Sequence, residues 1–116
     1  MSDVLVDTDI FIDHLRGARR LSTQGNRLWY STVTRCELFA GKQADEDALR
    51  LLLSAFGEVL VDQPIAERAG RLRRLTNIRT PDALIAASAL ERGLTLVTRN
   101  LRDYADVQDL SVRSPG

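Results

Sequence analysis

Cysteine and histidine are nearly absent from this sequence, which has one of each, Cys36 and His14. A single thiol cannot form an internal disulfide, and it cannot build a cysteine-based zinc cage. We expect His14 to face solvent on the first helix, which argues against a histidine-based catalytic triad. The sequence therefore excludes a disulfide framework and gives no support to zinc chemistry.

Long apolar runs are also missing. The longest, residues 83–90, is too short and too rich in alanine to span a bilayer, and the acidic start at Asp3 differs from a basic signal peptide. With 44% hydrophobic and 28% charged residues and few glycines or prolines, the composition is typical of globular proteins. We therefore expect a cytoplasmic protein without membrane contact, folded as a single domain over residues 1–116.

A net charge is absent, because 16 basic residues balance 16 acidic ones. The overall field therefore gives no attraction to nucleic acid. The basic residues are unevenly placed, and five arginines crowd one short segment: Arg68, Arg71, Arg73, Arg74 and Arg79. This arginine cluster is either a phosphate-contacting patch or a solvated helix face, and the sequence leaves both interpretations open.

What the sequence does contain is an alternation of β-type and helical segments. An apolar run over residues 4–6 ends at Asp7, and helical spacing follows from Asp9 to about Leu15, with Thr8 as the expected N-cap. Further strands are predicted at residues 27–31, 58–61, 94–98 and 110–112.

The other helices are predicted from their caps and apolar stripes. One starts at Thr34, or a turn earlier at Ser31, and ends at Gly41; another spans residues 45–56. The last two follow the caps Asp62 and Thr80, each with a proline close behind, and the final one ends at Gly93. Strands alternating with helices predict an α/β fold with a mostly parallel sheet and right-handed crossovers.

Four acids follow strand ends or begin helices in this arrangement. Asp7 ends the first strand, Glu37 falls in the first turn after the second, and Asp82 and Asp103 flank the fourth. Strand C-termini and helix N-termini share one rim of a parallel α/β layer, so these carboxylates should lie close together. Each could be a helix cap alone, as in a capping box of Thr34 with Glu37. Four like charges together, however, repel unless a cation lies among them.

The cation should be hard, because the available ligands are carboxylate and hydroxyl oxygens. Mg²⁺ or Mn²⁺ fits this set. Acids that leave open coordination positions suit metal-assisted hydrolysis of phosphodiesters, in which the ion activates a water and neutralises charge on the attacked phosphate. This chemistry predicts a nuclease.

The residues that carry these features resemble those of PIN-domain ribonucleases, specifically VapC-type toxins. The resemblance lies in four blocks in the same order, residues 5–8, 31–38, 81–89 and 98–104, and covers nearly the whole chain. It implies a three-layer α/β/α fold with sheet order 3-2-1-4-5 and Mg²⁺-dependent RNA cleavage. It also implies inhibition by a small VapB antitoxin and a symmetric homodimer.

The resemblance carries over to single residues as well. The acidic quartet of the family corresponds here to Asp7, Glu37, Asp82 and Asp103. We call these four residues the acidic quartet below. Thr8 and Asn100 are the expected supporting polar groups, and Asp9, which competes with Asp7 as a metal ligand, is assigned an outer position. Tyr104 stands where phenylalanine is commoner in the family, a change without an expected effect.

Two alternatives remain. Asp7, Thr8 and Asp9 after an apolar strand mimic the nucleophile loop of haloacid-dehalogenase-like phosphatases, but Lys42 is the only lysine and no late Asp-Asp pair exists. The second alternative is a PIN module that binds RNA or a partner without catalysis, against which the complete quartet argues. Mg²⁺-dependent cleavage of RNA distinguishes the three functions.

Overall fold

The structure, a computed structural model, describes residues 2–116. Five strands and five α-helices make up residues 2–116, with one or two helices between successive strands and a 3₁₀ helix between the last two strands. Their order and bounds are β1 Asp3–Val6, α1 Thr8–Leu15, β2 Arg27–Ser31, α2 Thr32–Phe39, α3 Glu46–Leu53, β3 Gly57–Val59, α4 Gln63–Leu75, α5 Thr80–Arg92, β4 Thr95–Val97, the 3₁₀ helix Leu101–Tyr104 and β5 Val112–Arg113.

The five strands form one sheet in the order β3-β2-β1-β4-β5, and all four pairings are parallel. This confirms the α/β class and the predicted order 3-2-1-4-5. Strand β1 is central, and its neighbour β4 is paired so that Val6 lies opposite Val97. The residues that follow these two, Asp7 and Thr98, therefore leave the sheet side by side at the C-terminal rim.

Apolar side chains cover both faces of the sheet, which explains why β1 has no polar face. Leu5 packs on one face with residues of α4 and α5, such as Ile65 and Ala86. Val4 and Val6 point to the other face and join a cluster with Phe11 of α1 and with Leu49 and Leu53 of α3. Burial on both faces is the rule for parallel strands and gives the predicted three-layer α/β/α arrangement.

Two strand-to-helix junctions at the rim contain almost no connecting residues. Only Asp7 separates β1 from α1, and α2 follows β2 directly, because Ser31 both ends the strand and caps the helix through its hydroxyl, which accepts from Val33 N–H. The earlier of the two predicted starts of α2 is therefore confirmed. The Thr34 and Glu37 capping box does not form, since both residues lie inside the helix.

Two other predicted caps are wrong. Asp7, and not Thr8, caps α1, because its Oδ1 accepts from the backbone N–H of Thr8. Helix α5 has Arg79 at its N-cap, without a side-chain hydrogen bond, and Thr80 is already helical. The cap at Asp62 is confirmed, since its carboxylate accepts from Ile65 N–H.

Several ends differ from the predicted bounds. Strand β3 stops at Val59, Leu60 beyond it is 63% exposed, and β5 starts at Val112 rather than at residue 110. His14 is half-buried rather than solvent-facing, because its Nδ1 accepts from the backbone N–H of Leu21. Among residues 2–116, the structure has no helix with the length and apolar character needed to cross a membrane.

Candidate active site

Asp7 lies at the point where β1 passes into α1 and is only 6% exposed. Its Oδ1 accepts from Thr8 N–H at 2.8 Å, and its Oδ2 accepts from the hydroxyls of Thr98 at 2.8 Å and Tyr104 at 2.9 Å. A carboxylate has roughly four acceptor positions. Asp7 is therefore held in a fixed orientation by three donors, with one free acceptor position on Oδ1.

Glu37 reaches the rim from the second turn of α2, and not from the first turn as predicted. Thr8 Oγ1 donates to its Oε1 at 2.6 Å, and Thr8 Oγ1 also lies 2.9 Å from Thr34 Oγ1. Because Thr8 has a single hydroxyl proton and gives it to Glu37, the proton of the second contact comes from Thr34. Thr8 therefore orients Glu37, and the buried Thr34 in turn orients Thr8.

Asp82 lies in the first turn of α5, near the other three acids of the quartet. Burial raises the pKa of its carboxyl, and three nearby acidic charges raise it further, those of Asp7, Asp103 and Glu37. Asp103 lies in the 3₁₀ helix after β4, two residues beyond its start. The structure thus places the other three acids of the quartet around Asp82 at the predicted rim.

Asp9 is buried, and its Oδ2 is surrounded by donors of the segment that follows β4. It accepts from Arg99 N–H at 2.9 Å and from Asn100 Nδ2 at 3.1 Å. Its Oδ1 has no hydrogen-bond partner. Burial, together with the charge of Asp7, raises the pKa of Asp9 to about 6. Asn100 therefore contacts the site through Asp9.

Two contacts of Asp7 were not predicted, those from Thr98 and Tyr104. Thr98 could have been found from the sheet register alone, because it follows β4 just as Asp7 follows β1. Tyr104 offers a weaker signal, namely that a buried phenol hydroxyl requires a partner. It lies between two acids, 2.9 Å from Asp7 Oδ2 and 3.4 Å from Asp82 Oδ1. Burial raises the pKa of Tyr104, and the charges of those two acids add to the shift.

The donor chemistry of this site fits a hard divalent cation, since its ligands would be carboxylate oxygens. The unpartnered Oδ1 of the buried Asp9 leaves a carboxylate oxygen available as a ligand, and a cation among the acids would relieve the repulsion that raises the pKa of Asp82. In the part of the chain that the structure describes, no three His, Cys, Asp or Glu side chains already converge as ligands of one ion. Because three donors hold Asp7 in place, Asp82 and Asp103 would have to turn towards it to complete a ligand set.

Arginines border the acidic rim, and Arg99 is one of them, with its Nε 3.9 Å from Asp9 Oδ2 and 3.4 Å from Asp13 Oδ2. Arg79 and Arg102 line a cavity of about 230 Å³ together with Asp82 and Asp103. The arginine cluster predicted from the sequence is divided in the structure: Arg68 pairs with Glu91, and Arg73 donates to the carbonyl of Ile78. Of the five, Arg79 is the one that lines this cavity.

Comparison with known proteins gives a consistent result. The family model described as PIN domain matches residues 4–110. Two curated Mycobacterium tuberculosis proteins are similar: Ribonuclease VapC19, 35% identical over 91% of this chain and 95% of the relative, and Ribonuclease VapC10, 37% identical over 92% and 90%. A toxin-antitoxin complex from Klebsiella pneumoniae contains a chain with a TM-score of 0.79 and 35% identity, over 97% of this chain and 98% of that one.

Proposed function

The chain belongs to the PIN-domain family, and we propose that it is a metal-dependent endoribonuclease, the toxin of a VapBC-type toxin–antitoxin pair. The observation that carries the proposal is the gathering of acids at one rim. The hydroxyl of Tyr104 lies between Asp7 and Asp82, Asp103 lines one cavity with Asp82, and Glu37 is bonded to Thr8, the neighbour of Asp7. The relatives named as ribonucleases and the similar toxin-antitoxin structure support it. The proposed substrate is RNA, and we place the protein in the cytoplasm.

Asp7, Glu37, Asp82 and Asp103 are the residues that would hold the ion, which we propose to be Mg²⁺, with Mn²⁺ as a substitute. When bound, the ion activates a water for attack on the phosphodiester and neutralises charge on the phosphate. Three donors fix Asp7, so its remaining acceptor position on Oδ1 points in one direction. Thr8 holds Glu37 across the gap between α1 and α2.

Arg79 and Arg102 are placed to hold the RNA backbone beside the acids. Guanidinium groups bind phosphate oxygens of any sequence, so these residues would position the strand without reading its bases. The choice of target then depends on the shape of the RNA.

The proposed partner is a small VapB-type antitoxin. An anionic site can be blocked by an inserted arginine that pairs bidentately with the carboxylates, and such an arginine would displace the metal. We therefore expect the inhibitory complex to bind Mn²⁺ more weakly than the free toxin does. Equal affinity would mean that the antitoxin acts by covering the rim. We also propose that the toxin is a symmetric homodimer, which sedimentation at micromolar concentration tests.

The decisive experiment is RNA cleavage by the Asp7→Asn variant with Mg²⁺ and with EDTA. The new amide can keep its oxygen towards Thr8 N–H, and its NH₂ group then faces the hydroxyls of Thr98 and Tyr104, which can accept. We therefore expect an intact fold and no cleavage. Asp62→Asn is the matched control, because Asp62 also caps a helix but lies outside the quartet, and this variant should cleave normally.

The cleavage products give a second readout. A metal-activated water does not need the 2′-hydroxyl of RNA, so the products should have 5′-phosphate and 3′-hydroxyl ends. Cyclic-phosphate ends, or full cleavage by Asp7→Asn, would contradict the proposal. Phosphatase activity without RNA cleavage would favour the phosphatase alternative, and RNA binding without any cleavage would favour a non-catalytic PIN module.

A further inference from the structure

The hydroxyl of Tyr104 lies between two of the proposed metal-binding acids. It is 2.9 Å from Asp7 Oδ2 and 3.4 Å from Asp82 Oδ1. The tyrosine is 2% exposed, and its ring belongs to the apolar cluster that includes Leu5 and Leu96. Packing of the ring therefore fixes the hydroxyl at this position.

The phenol has one proton, and the distances assign it to Asp7. In the metal-free protein, Tyr104 thus donates a hydrogen bond to a buried carboxylate that has the charge of Asp82 close by. Hydrogen bonds to ionised acceptors are roughly twice as strong as those between neutral groups. The hydroxyl therefore stabilises the arrangement of these acids when no cation neutralises them.

Orientation of Asp7 does not depend on this bond. Thr98 donates to the same oxygen at 2.8 Å, and Thr8 N–H donates to the other oxygen at 2.8 Å. Two donors, one on each oxygen, hold the carboxylate without the phenol. What only the phenol provides is additional masking of negative charge on the side of Asp7 that faces Asp82.

We infer that Tyr104 lowers the affinity of the acidic quartet for divalent cations. A bound cation withdraws charge from Asp7, so the bond from Tyr104 contributes more stability to the metal-free protein than to the metal-bound one. Whatever stabilises only the free state weakens binding by the same free energy. This inference rests on the proposed function, because it requires that the quartet binds a metal ion.

The test is calorimetric titration of Mn²⁺ into the wild type and the Tyr104→Phe variant, which keeps the ring and removes only the hydroxyl. We expect the variant to bind Mn²⁺ about fivefold more tightly, a change of about 1 kcal/mol. Without metal, its melting temperature should be lower than that of the wild type. The increase in melting temperature on addition of Mn²⁺ should accordingly be larger.

Tyr30→Phe is the matched control. Tyr30 is also buried, and its hydroxyl donates to a carboxylate, that of Glu58 at 3.0 Å, away from the quartet. This variant should lose stability without a change in Mn²⁺ affinity. If it also binds Mn²⁺ more tightly, the effect is general and the inference is overturned.

The remaining outcomes separate this inference from the proposed function. If the wild type binds no Mn²⁺, both fail. If the wild type binds Mn²⁺ and Tyr104→Phe binds it equally or more weakly, only the role of Tyr104 is overturned. Should Tyr104→Phe be too unstable to titrate in buffer alone, both proteins are titrated in sucrose, which stabilises the folded state. The tighter binding must persist there, because the bond to Asp7 is still removed.

Discussion

Thr8 and Glu37, which are 29 positions apart, are joined by a hydrogen bond of 2.6 Å from the threonine hydroxyl to Oε1 of the carboxylate. Thr8 is the first residue of α1, and Glu37 lies in the second turn of α2. The bond therefore connects two helices that start at different strands. It also sets the direction of a carboxylate that would otherwise rotate freely on an exposed helix face.

The first prediction concerns this bond. Thr8→Val keeps the side-chain volume but removes the donor, so Glu37 loses its orientation. We expect RNA cleavage to fall about 10- to 100-fold, as is usual when an outer partner of a metal ligand is lost. Thr95→Val is the control, because Thr95 donates to Ser111 at 3.2 Å on the exposed end of β4. Unchanged cleavage by Thr8→Val would show that Glu37 does not need this support.

The second prediction concerns the repulsion within the quartet. Burial and the charges of neighbouring acids raise the pKa of Asp82, so its ionised form is unfavourable in the metal-free fold. Asp82→Asn removes the charge at constant volume and should raise the melting temperature in EDTA. In the wild type, Mg²⁺ at about 100 times its dissociation constant should add roughly 2.7 kcal/mol, or on the order of 10 °C.

The variant should gain much less from Mg²⁺. Melting curves of both proteins, recorded with EDTA and with Mg²⁺, measure this. A variant that is less stable than the wild type in EDTA and gains as much stability from Mg²⁺ would contradict the prediction. Asp82 would then stabilise the start of α5 and would not be part of a metal site.

The third prediction concerns RNA binding in the cavity beside the acids. In the Asp7→Asn background, which should bind RNA without cutting it, Arg79→Ala should weaken binding. The slope of log affinity against log salt concentration should fall by roughly 0.7, the value for one phosphate contact with a single strand. Arg27→Ala is the control, since Arg27 is exposed at the start of β2, at the opposite end of the sheet. Equal losses of RNA affinity in the two variants would mean that arginines attract RNA only through nonspecific charge, wherever they lie on the surface.

The fourth prediction concerns acid stability. Hydrogen bonds from Arg35 and Tyr30 hold the pKa of Glu58 below its ordinary value of 4.5. A carboxyl with a lowered pKa contributes stability above its unfolded pKa and loses it as pH falls through the folded one. Glu58→Gln should therefore be less stable than the wild type at pH 7, and the two should converge as the pH falls below 4.5 and through the lowered pKa of the folded state.

Urea unfolding at a series of pH values measures this convergence. Glu46→Gln is the control, because Glu46 forms an exposed pair with Arg50 and should contribute little at any pH. Parallel curves of stability against pH for the wild type and Glu58→Gln would contradict a lowered pKa of Glu58 in the folded protein.

The strands and helices could be predicted from the sequence because apolar periodicity is a local signal. The sheet order followed from the family resemblance, which rests on four local blocks of residues. Strand β2 has the predicted bounds, and Asp62 is the predicted cap. The choice between Asp7 and Thr8 as the cap of α1 was wrong for a physical reason. Both residues can cap a helix, and a distant group, Glu37, engages the hydroxyl of Thr8.

The role of Tyr104 was missed for a similar reason. Its contact with Asp7 joins residues 97 positions apart and depends on how closely the 3₁₀ helix packs against α5 and β5. Neither the composition nor the spacing of the last block of residues contains that information. The family resemblance alone would class the hydroxyl as neutral.

The short junctions at the rim restrict where the chain can change in length. One residue inserted at Asp7, or between Ser31 and Thr32, would turn the following helix by about 100° and aim Thr8 or Glu37 away from the other. The connection between α1 and β2, residues 16–26, lies at the opposite end of the sheet and is mostly exposed. Epitope tags, fluorophore loops or new termini made by circular permutation therefore belong in that connection.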